Sequence, residues 1–246
     1  MANQLLEKDL SLTSSENESF DQSVKYSDEY YENYINNFEC NKRKRLFYRA
    51  TKRFFDFFFA FFALILFFVP MIVIAIMIRI DSKGPAIFKQ KRVGKGGKTF
   101  TCYKFRSMKE SAPHECATSV LDNPEQHITK IGRFLRKTSL DELPQLFCVL
   151  FGKMSIIGYR PLILSEKNCN DMRERMGVFA MRPGISGYAQ VNGRDGVYYK
   201  NKAIMDAYYV KHASLWLDIK LFFKTISIVI TRHGNASEKG KEKIKK

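Results

Sequence analysis

Residues 54–78 read FFDFFFAFFALILFFVPMIVIAIMI, an apolar run with a single charged residue, Asp56. As a helix, at about 1.5 Å per residue, it is longer than the ~30 Å hydrocarbon core of a bilayer. It begins too far from the N-terminus for a secretory signal peptide. It reads as a membrane segment, so whatever else folds here must fold beside a bilayer.

The flanks constrain how the segment sits. Lys42, Arg43, Lys44, Arg45, Arg49, Lys52 and Arg53 precede it, and Arg79, Lys83, Lys89, Lys91 and Arg92 follow it. Lys and Arg concentrate on the cytoplasmic side, and a straight span would place one cluster on the wrong side. Pro70 removes a backbone hydrogen bond and can break a helix. A helix that enters, bends at Pro70 and returns keeps both flanks inside; a kinked straight span is the alternative. Asp56 lies one turn after Arg53, and an ion pair between them at headgroup depth is expected.

Charge narrows the partner. The chain carries a formal net charge of +16. Within residues 1–41, Lys8 and Lys25 stand against nine acids, a net of −7, which leaves +23 on the remainder. Such a surplus points to an anionic partner: nucleic acid, anionic lipid or a phosphorylated substrate. The five cysteines form no CxxC pair, which argues for reduced thiols and against a disulfide frame or zinc site. His114 and Cys116 lie close together, but nothing nearby completes a metal set.

Four regions follow. Residues 1–41 are polar and acidic and are expected to be disordered, with the tyrosine cluster DEYYENYINN (28–37) a solvated tail. Residues 42–80 hold the basic flank and the membrane helix. Residues 81–233 form a cytosolic domain, and 234–246 are a basic tail suited to anionic headgroups. The fold expected is α+β, mostly helical. PAIFKQKRV and KTFTCYKFR around GKGG (94–97) predict a β-hairpin. GGKT is not a phosphate-binding P-loop, because Arg92 stands where that motif needs glycine. Residues 109–127 read as a loop or short helix, and DELPQLFCVLFGKM opens a helical segment. The stretch 203–232 mixes Trp216, Tyr208 and Tyr209 with Lys211, Asp218, Lys220 and Lys224, a pattern suited to the membrane interface.

The adjacent acids Asp141 and Glu142 in RKTSLDELPQL (136–146) admit two readings. Ser139 with Glu142 three residues on fits a capping box, for which Ser139→Ala would cost about 1 kcal/mol. The alternative is chemical. Arg133, Arg136 and Lys137 precede the pair; YKFRSM adds Lys104 and Arg106; GYRPL (158–162) and RPGISGYAQVNGRDG (182–196) add further arginines on turns. Arginines on turns suit bidentate phosphate recognition. Two carboxylates beside a diphosphate make a Mg²⁺ arrangement, and a carboxylate can attack phosphorus.

Several blocks in order then resemble the bacterial sugar transferases, small membrane-embedded polyprenyl-phosphate phosphoglycosyl transferases. They are KRFFD (52–56), SKGPAIFKQKRVGKGGKTFTCYKFRSM (82–108), IGRFLRKTSLDELPQL (131–146), MSIIGYRPL (154–162), RPGISGYAQVNGRDG (182–196) and YYVKHASLWLDIK (208–220). The resemblance implies a re-entrant helix broken at Pro70 and a small catalytic domain on the cytoplasmic face of the inner membrane, with interfacial amphipathic helices. It implies transfer of a sugar 1-phosphate from a UDP-sugar to undecaprenyl phosphate with release of UMP, a first membrane step of capsule or exopolysaccharide synthesis. By the same resemblance Asp141 is the nucleophile, and Glu142 assists the second step and, with Asp141, holds Mg²⁺. Arg136 holds phosphate, Lys104, Arg106 and Arg160 contact substrate phosphates, and Gln190, Asn192 and Arg194 contact the nucleotide sugar. The sequence departs from the family pattern at Val69, Cys148, Lys153 and Tyr159. The competing readings are a membrane-tethered electrostatic scaffold, which has no use for the acid pair, and a degenerate family member retained as a partner protein.

Overall fold

The computed structural model of the chain describes residues 25–38, 46–112, 124–193 and 198–231. The first element is helix α1 (Asp28–Asn37), capped by the Ser27 hydroxyl, which accepts from the Tyr30 N–H at 3.2 Å. The disorder expected of residues 1–41 is overturned for this part of them. Tyr31, Tyr34 and Ile35 are buried on one face of the helix, and the Tyr31 hydroxyl donates to Asn201 Oδ1 at 2.5 Å. The polar faces hold Glu32 against Arg175 in a two-pronged contact at 2.7 and 2.9 Å. A sequence poor in aliphatic residues finds its apolar face in tyrosine rings, which bury area and still satisfy a hydroxyl. The basic segment 234–246 lies outside the described residues.

Helix α2 (Leu46–Asp81) contains the whole apolar run and is continuous across Pro70, where a break was expected. Proline costs the helix one hydrogen bond, to the carbonyl of Leu66, and the helix carries on. Most of its middle is bare: Leu66 is 71% exposed and Val69 66%. A soluble protein does not present that much apolar surface, and among the described residues only α2 is long and apolar enough to cross a bilayer. The chain is a membrane protein. The expected Arg53–Asp56 ion pair does not form. Arg53 donates to the carbonyls of Val149 and Leu150 at 2.6 and 2.8 Å, and Asp56 accepts from Ser155 Oγ and the Ile156 N–H at 2.7 and 3.0 Å. Both side chains hold the rest of the fold to the helix instead of each other.

Strands β1 (Ile87–Val93) and β2 (Thr99–Phe105) form the predicted antiparallel hairpin, with Phe88 opposite Lys104. Its turn runs through Gly96 and Gly97, both at positive φ, as a tight hairpin demands. Helices α3 (Lys130–Thr138) and α4 (Gln145–Leu150) flank a 3-10 turn, Leu140–Glu142. Strands β3 (Ser155–Ile157) and β4 (Gly184–Ser186) pair in parallel, with α5 (Lys167–Arg175) between them in sequence. The glycines of GYRPL and RPGISGY belong to this pairing. A Cβ on Gly184 would lie 2.1 Å from the Gly158 nitrogen, and one on Gly187 1.8 Å from the Gly158 oxygen.

A short helix, α6 (Tyr188–Asn192), leads to α7 (Tyr199–His212) and α8 (Leu215–Ile230). The stretch read as one interfacial segment is thus two helices of opposite character. Ala203 through Val210 are buried in the core under α1 and α5. The chain then turns, and Ser214 caps α8 by accepting from Leu217 at 3.2 Å. Only α8 presents an apolar face outward, with Trp216 at 65% and Phe223 at 64% exposure. Asp218 ties it back: it accepts from Tyr209 and Tyr48 hydroxyls at 2.6 and 2.7 Å and from Lys52 at 2.9 Å. The two smaller clusters of core residues lie along α2: Ala60 packs with Phe100, Cys102, Val149 and Met154, and Ile74 and Ile78 pack with Phe105 and Leu135.

Candidate active site

Helix α3 ends at Ser139, which adopts the left-handed conformation (φ 58°, ψ 16°). Its N–H satisfies the carbonyl of Arg136 at 3.3 Å, and the chain reverses into the 3-10 turn that carries Asp141 and Glu142. The capping-box reading is overturned. The Ser139 side chain makes no capping bond, and Glu142 faces strand β2 instead of its own helix start. A residue at positive φ cannot hold the extended geometry that an N-cap serine needs.

Glu142 Oε1 accepts from Lys104 Nζ at 2.6 Å and lies 3.4 Å from Arg160 Nη1. Burial alone would raise its carboxyl, but Lys104 and Arg160 outweigh it and hold the group down at about 2. Asp141 behaves oppositely. Burial pushes its carboxyl upward, Glu142 adds to the push, and the charges of Lys104 and Arg136 only partly offset it. Among the described residues no hydrogen bond is made to the Asp141 carboxylate. Neighbouring carboxylates pushed apart in this way take different chemical roles. Glu142 is a fixed anion shared by Lys104 and Arg160, and the Asp141 carboxylate is the less stabilised of the two.

The cations expected around this pair divide. Lys104 and Arg160 reach Glu142 directly, and Arg136, fixed by Nε donation to Ser107 Oγ at 2.8 Å, stands as a charge beside Asp141. Arg106 is turned away: it donates to the carbonyls of Lys83 and Ser82 at 2.6 and 2.7 Å, anchoring the end of α2. Gln190 donates to the Ile185 carbonyl at 3.1 Å with its Oε1 buried and unpartnered, and Asn192 donates to Tyr188 at 2.9 Å and accepts from Lys224. No hydrogen bond or ion pair among the described residues joins these two to the acids. Arg194, Cys116 and His114 lie outside the described residues.

Three residues that support the site were not read from the sequence. Arg92 donates to the Pro161 carbonyl at 2.5 Å, and Arg173 donates to the Arg160 carbonyl at 2.9 Å, so two arginines hold the loop that presents Arg160. Ser107 orients Arg136. Strand alternation is the one signal that could have found Arg92, since Gln90 and Arg92 share the face of β1 that Phe88 pairs to Lys104. Arg173 itself is wholly buried against Asp206 with the Tyr159 ring 5.5 Å away. Tyr159, a departure from the family pattern, therefore fills the core behind the loop.

The donor set for a metal is small. No group of three or more His, Cys, Asp or Glu gathers among the described residues, so Asp141 and Glu142 would supply all the protein oxygens. That fits Mg²⁺, which takes few carboxylates and completes its shell from phosphate oxygens and water.

The bacterial sugar transferase family model matches residues 47–232. An undecaprenyl-phosphate galactose phosphotransferase of Salmonella typhimurium is 41% identical over 167 residues, 61% of this chain and 34% of that protein. A UDP-N-acetylgalactosamine-undecaprenyl-phosphate N-acetylgalactosaminephosphotransferase of Aeromonas hydrophila is 40% identical over 195 residues, 76% of this chain and 45% of that protein. A UDP-glucose:undecaprenyl-phosphate glucose-1-phosphate transferase of Klebsiella pneumoniae is 41% identical over 163 residues, 63% of this chain and 35% of that protein. The chain spans less than half the length of each of these relatives.

Proposed function

Because the chain belongs to the bacterial sugar transferases, a family of transferases, we propose that it moves a sugar 1-phosphate from a UDP-sugar to undecaprenyl phosphate. Asp141 attacks the phosphorus that carries the sugar. The bond to the uridine-bearing phosphate breaks, UMP leaves with the electron pair, and an aspartyl phosphosugar forms. The lipid phosphate oxygen then attacks the same phosphorus and frees Asp141. The observation that carries this reading is the asymmetry of the acid pair, with Glu142 held by Lys104 at 2.6 Å and Asp141 left, among the described residues, without a hydrogen-bond donor.

The surrounding side chains have defined parts. Lys104, Arg136 and Arg160 face the phosphoryl oxygens as charge accumulates on them. Glu142 orients Lys104 and Arg160 and keeps them from neutralising the nucleophile. Mg²⁺, when bound by the two carboxylates, supplies charge neutralisation of the diphosphate. Gln190, Asn192 and Arg194 contact the nucleotide sugar from α6 and the segment that follows it.

The membrane placement proposed is re-entrant, with α2 bent at Pro70 though unbroken, and with both basic flanks and the catalytic domain on the cytoplasmic face of the inner membrane. What supports it is that α2 meets the domain at both ends. Lys52 and Asp56 are bound near its start and Ile78 and Asp81 near its finish, with Asp81 accepting from the Ile131 N–H at 3.0 Å. Asp56 and Ile78 are separated by about 33 Å of helix, so a perpendicular span would carry one of these contacts across the bilayer.

The test is UMP release by the detergent-solubilised protein with Mg²⁺ and a panel of UDP-sugars, with and without undecaprenyl phosphate, beside Asp141→Asn. Lipid-dependent release with one sugar, lost in the variant, is expected. Equal release by the variant would remove Asp141 from the chemistry. No release from any donor by folded protein would favour a scaffold or a degenerate family member.

A further inference from the structure

Away from the acid pair, a small, open pocket of about 30 Å³ lies between the first turns of α2, the tip of the β1–β2 hairpin and the segment before β4. Arg49, Lys52, Arg53, Lys95 and Arg182 line it with Asp56, and it shares no residue with the site around Glu142. Lys52 is neutralised by Asp218 at 2.9 Å, and both Asp56 oxygens are occupied by Ser155 and Ile156. Among the described residues, five lining cations against these two acids leave three positive charges uncompensated. Arg53 and Arg182 spend N–H groups on the carbonyls of Val149, Leu150 and Gly152, which fixes their guanidinium groups beside the pocket. Among the described residues, Arg49 Nε is buried with no partner. Lys95 is held below the usual lysine range by burial and by the charges of Arg182 and Arg49.

Like charges are not gathered this way for stability. Buried or crowded cations without counterions are costly, and the cost is relieved when an anion enters. The depth of the pocket identifies the anion. The long apolar run of α2 begins at the next residue, with Phe54 63% exposed, and Phe151, beside the carbonyls that hold Arg53, is 73% exposed. Positive charge therefore borders surface that acyl chains can cover, the arrangement of an interfacial phospholipid site.

We propose that this pocket binds the phosphate of an anionic diacyl phospholipid, with its acyl chains along Phe54 and Phe151. The lipid neutralises the cluster and fixes the depth and tilt of the start of α2. This rests on the membrane placement proposed above. The two fail differently: a wrong placement shows as engineered cysteines at the two ends of α2 labelling from opposite faces of a vesicle, and a wrong lipid site leaves both labelling from one face.

The experiment is native mass spectrometry of the full-length protein released from nanodiscs of equal phosphatidylcholine and phosphatidylglycerol. Wild type is expected to retain phosphatidylglycerol selectively. Arg49→Gln and Lys95→Gln should each lower that retention about five-fold, and Lys167→Gln, outside the pocket, should not. The Lys95 side chain is mostly exposed and makes no hydrogen bond or ion pair within the described residues, so its variant does not threaten the fold. Absence of selectivity in wild type, or unchanged retention in Lys95→Gln, overturns the proposal. Displacement of the lipid by inorganic phosphate at equal concentration would make the pocket a site for soluble phosphate, and displacement by undecaprenyl phosphate would make it the acceptor site. Either result also overturns it.

Discussion

Lys104 Nζ lies 2.6 Å from Glu142 Oε1, and this contact separates the roles of two carboxylates that are adjacent in sequence. Glu142 is held at about 2, below its ordinary 4.5, so its ion pair contributes stability that is complete above pH 4.5. That stability is lost as pH falls from 4.5 toward 2. Lys104→Gln should cost on the order of 2–3 kcal/mol at neutral pH and flatten the acid limb of a melting-temperature profile. A variant that keeps the full acid limb would show that Arg160 alone holds Glu142.

Asp141 carries the opposite sign. Its carboxyl is raised by burial, so ionising it in the folded state opposes stability above its folded pKa and stops doing so as pH falls below it. Asp141→Asn is expected to melt higher than wild type at pH 7, with the gain shrinking in acid, while UMP release disappears. An inactive variant that also melts lower would mean that the carboxylate holds the turn together.

Ser139 is the one non-glycine residue at positive φ among the described residues. Because its hydroxyl caps nothing, Ser139→Ala should change stability by less than about 0.5 kcal/mol. Ser139→Gly should stabilise by roughly 0.5–1 kcal/mol, by relieving the left-handed strain. Thermal unfolding in one detergent separates these outcomes, and a loss near 1 kcal/mol in the alanine variant would reinstate the capping box.

The Arg173–Asp206 pair is wholly buried, and Arg173 also donates to the Arg160 carbonyl. Arg173→Met strands an unpaired carboxylate and should cost about 3–5 kcal/mol. The double variant Arg173→Met with Asp206→Leu should recover much of that stability. If Arg173 positions Arg160, the double variant will stay folded and bind UDP-sugar more weakly, which chemical unfolding and a KM measurement resolve separately.

The hairpin, the membrane segment and the acid pair were legible in the sequence because each rests on local signals. Alternation around GKGG sets the strands, twenty-five residues with one charge set the bilayer segment, and Asp141 is flanked by cations within a few residues. What the sequence could not give depends on partners far along the chain. Ser139 and Glu142 match a capping box letter for letter, yet Lys104, thirty-eight residues earlier, claims the glutamate. The tyrosines of α1 look like a solvated tail until Asn201 and the core beneath α7 meet them. Arg106 reads as another phosphate ligand, but its two Nη groups are taken by the carbonyls of Ser82 and Lys83. Residue types and spacings determined which chemistry was possible and that it lies at a membrane. Which cations face the acids, and which are spent on backbone carbonyls, was decided by the tertiary structure, because a charged side chain settles on whichever buried acceptor lies within its reach.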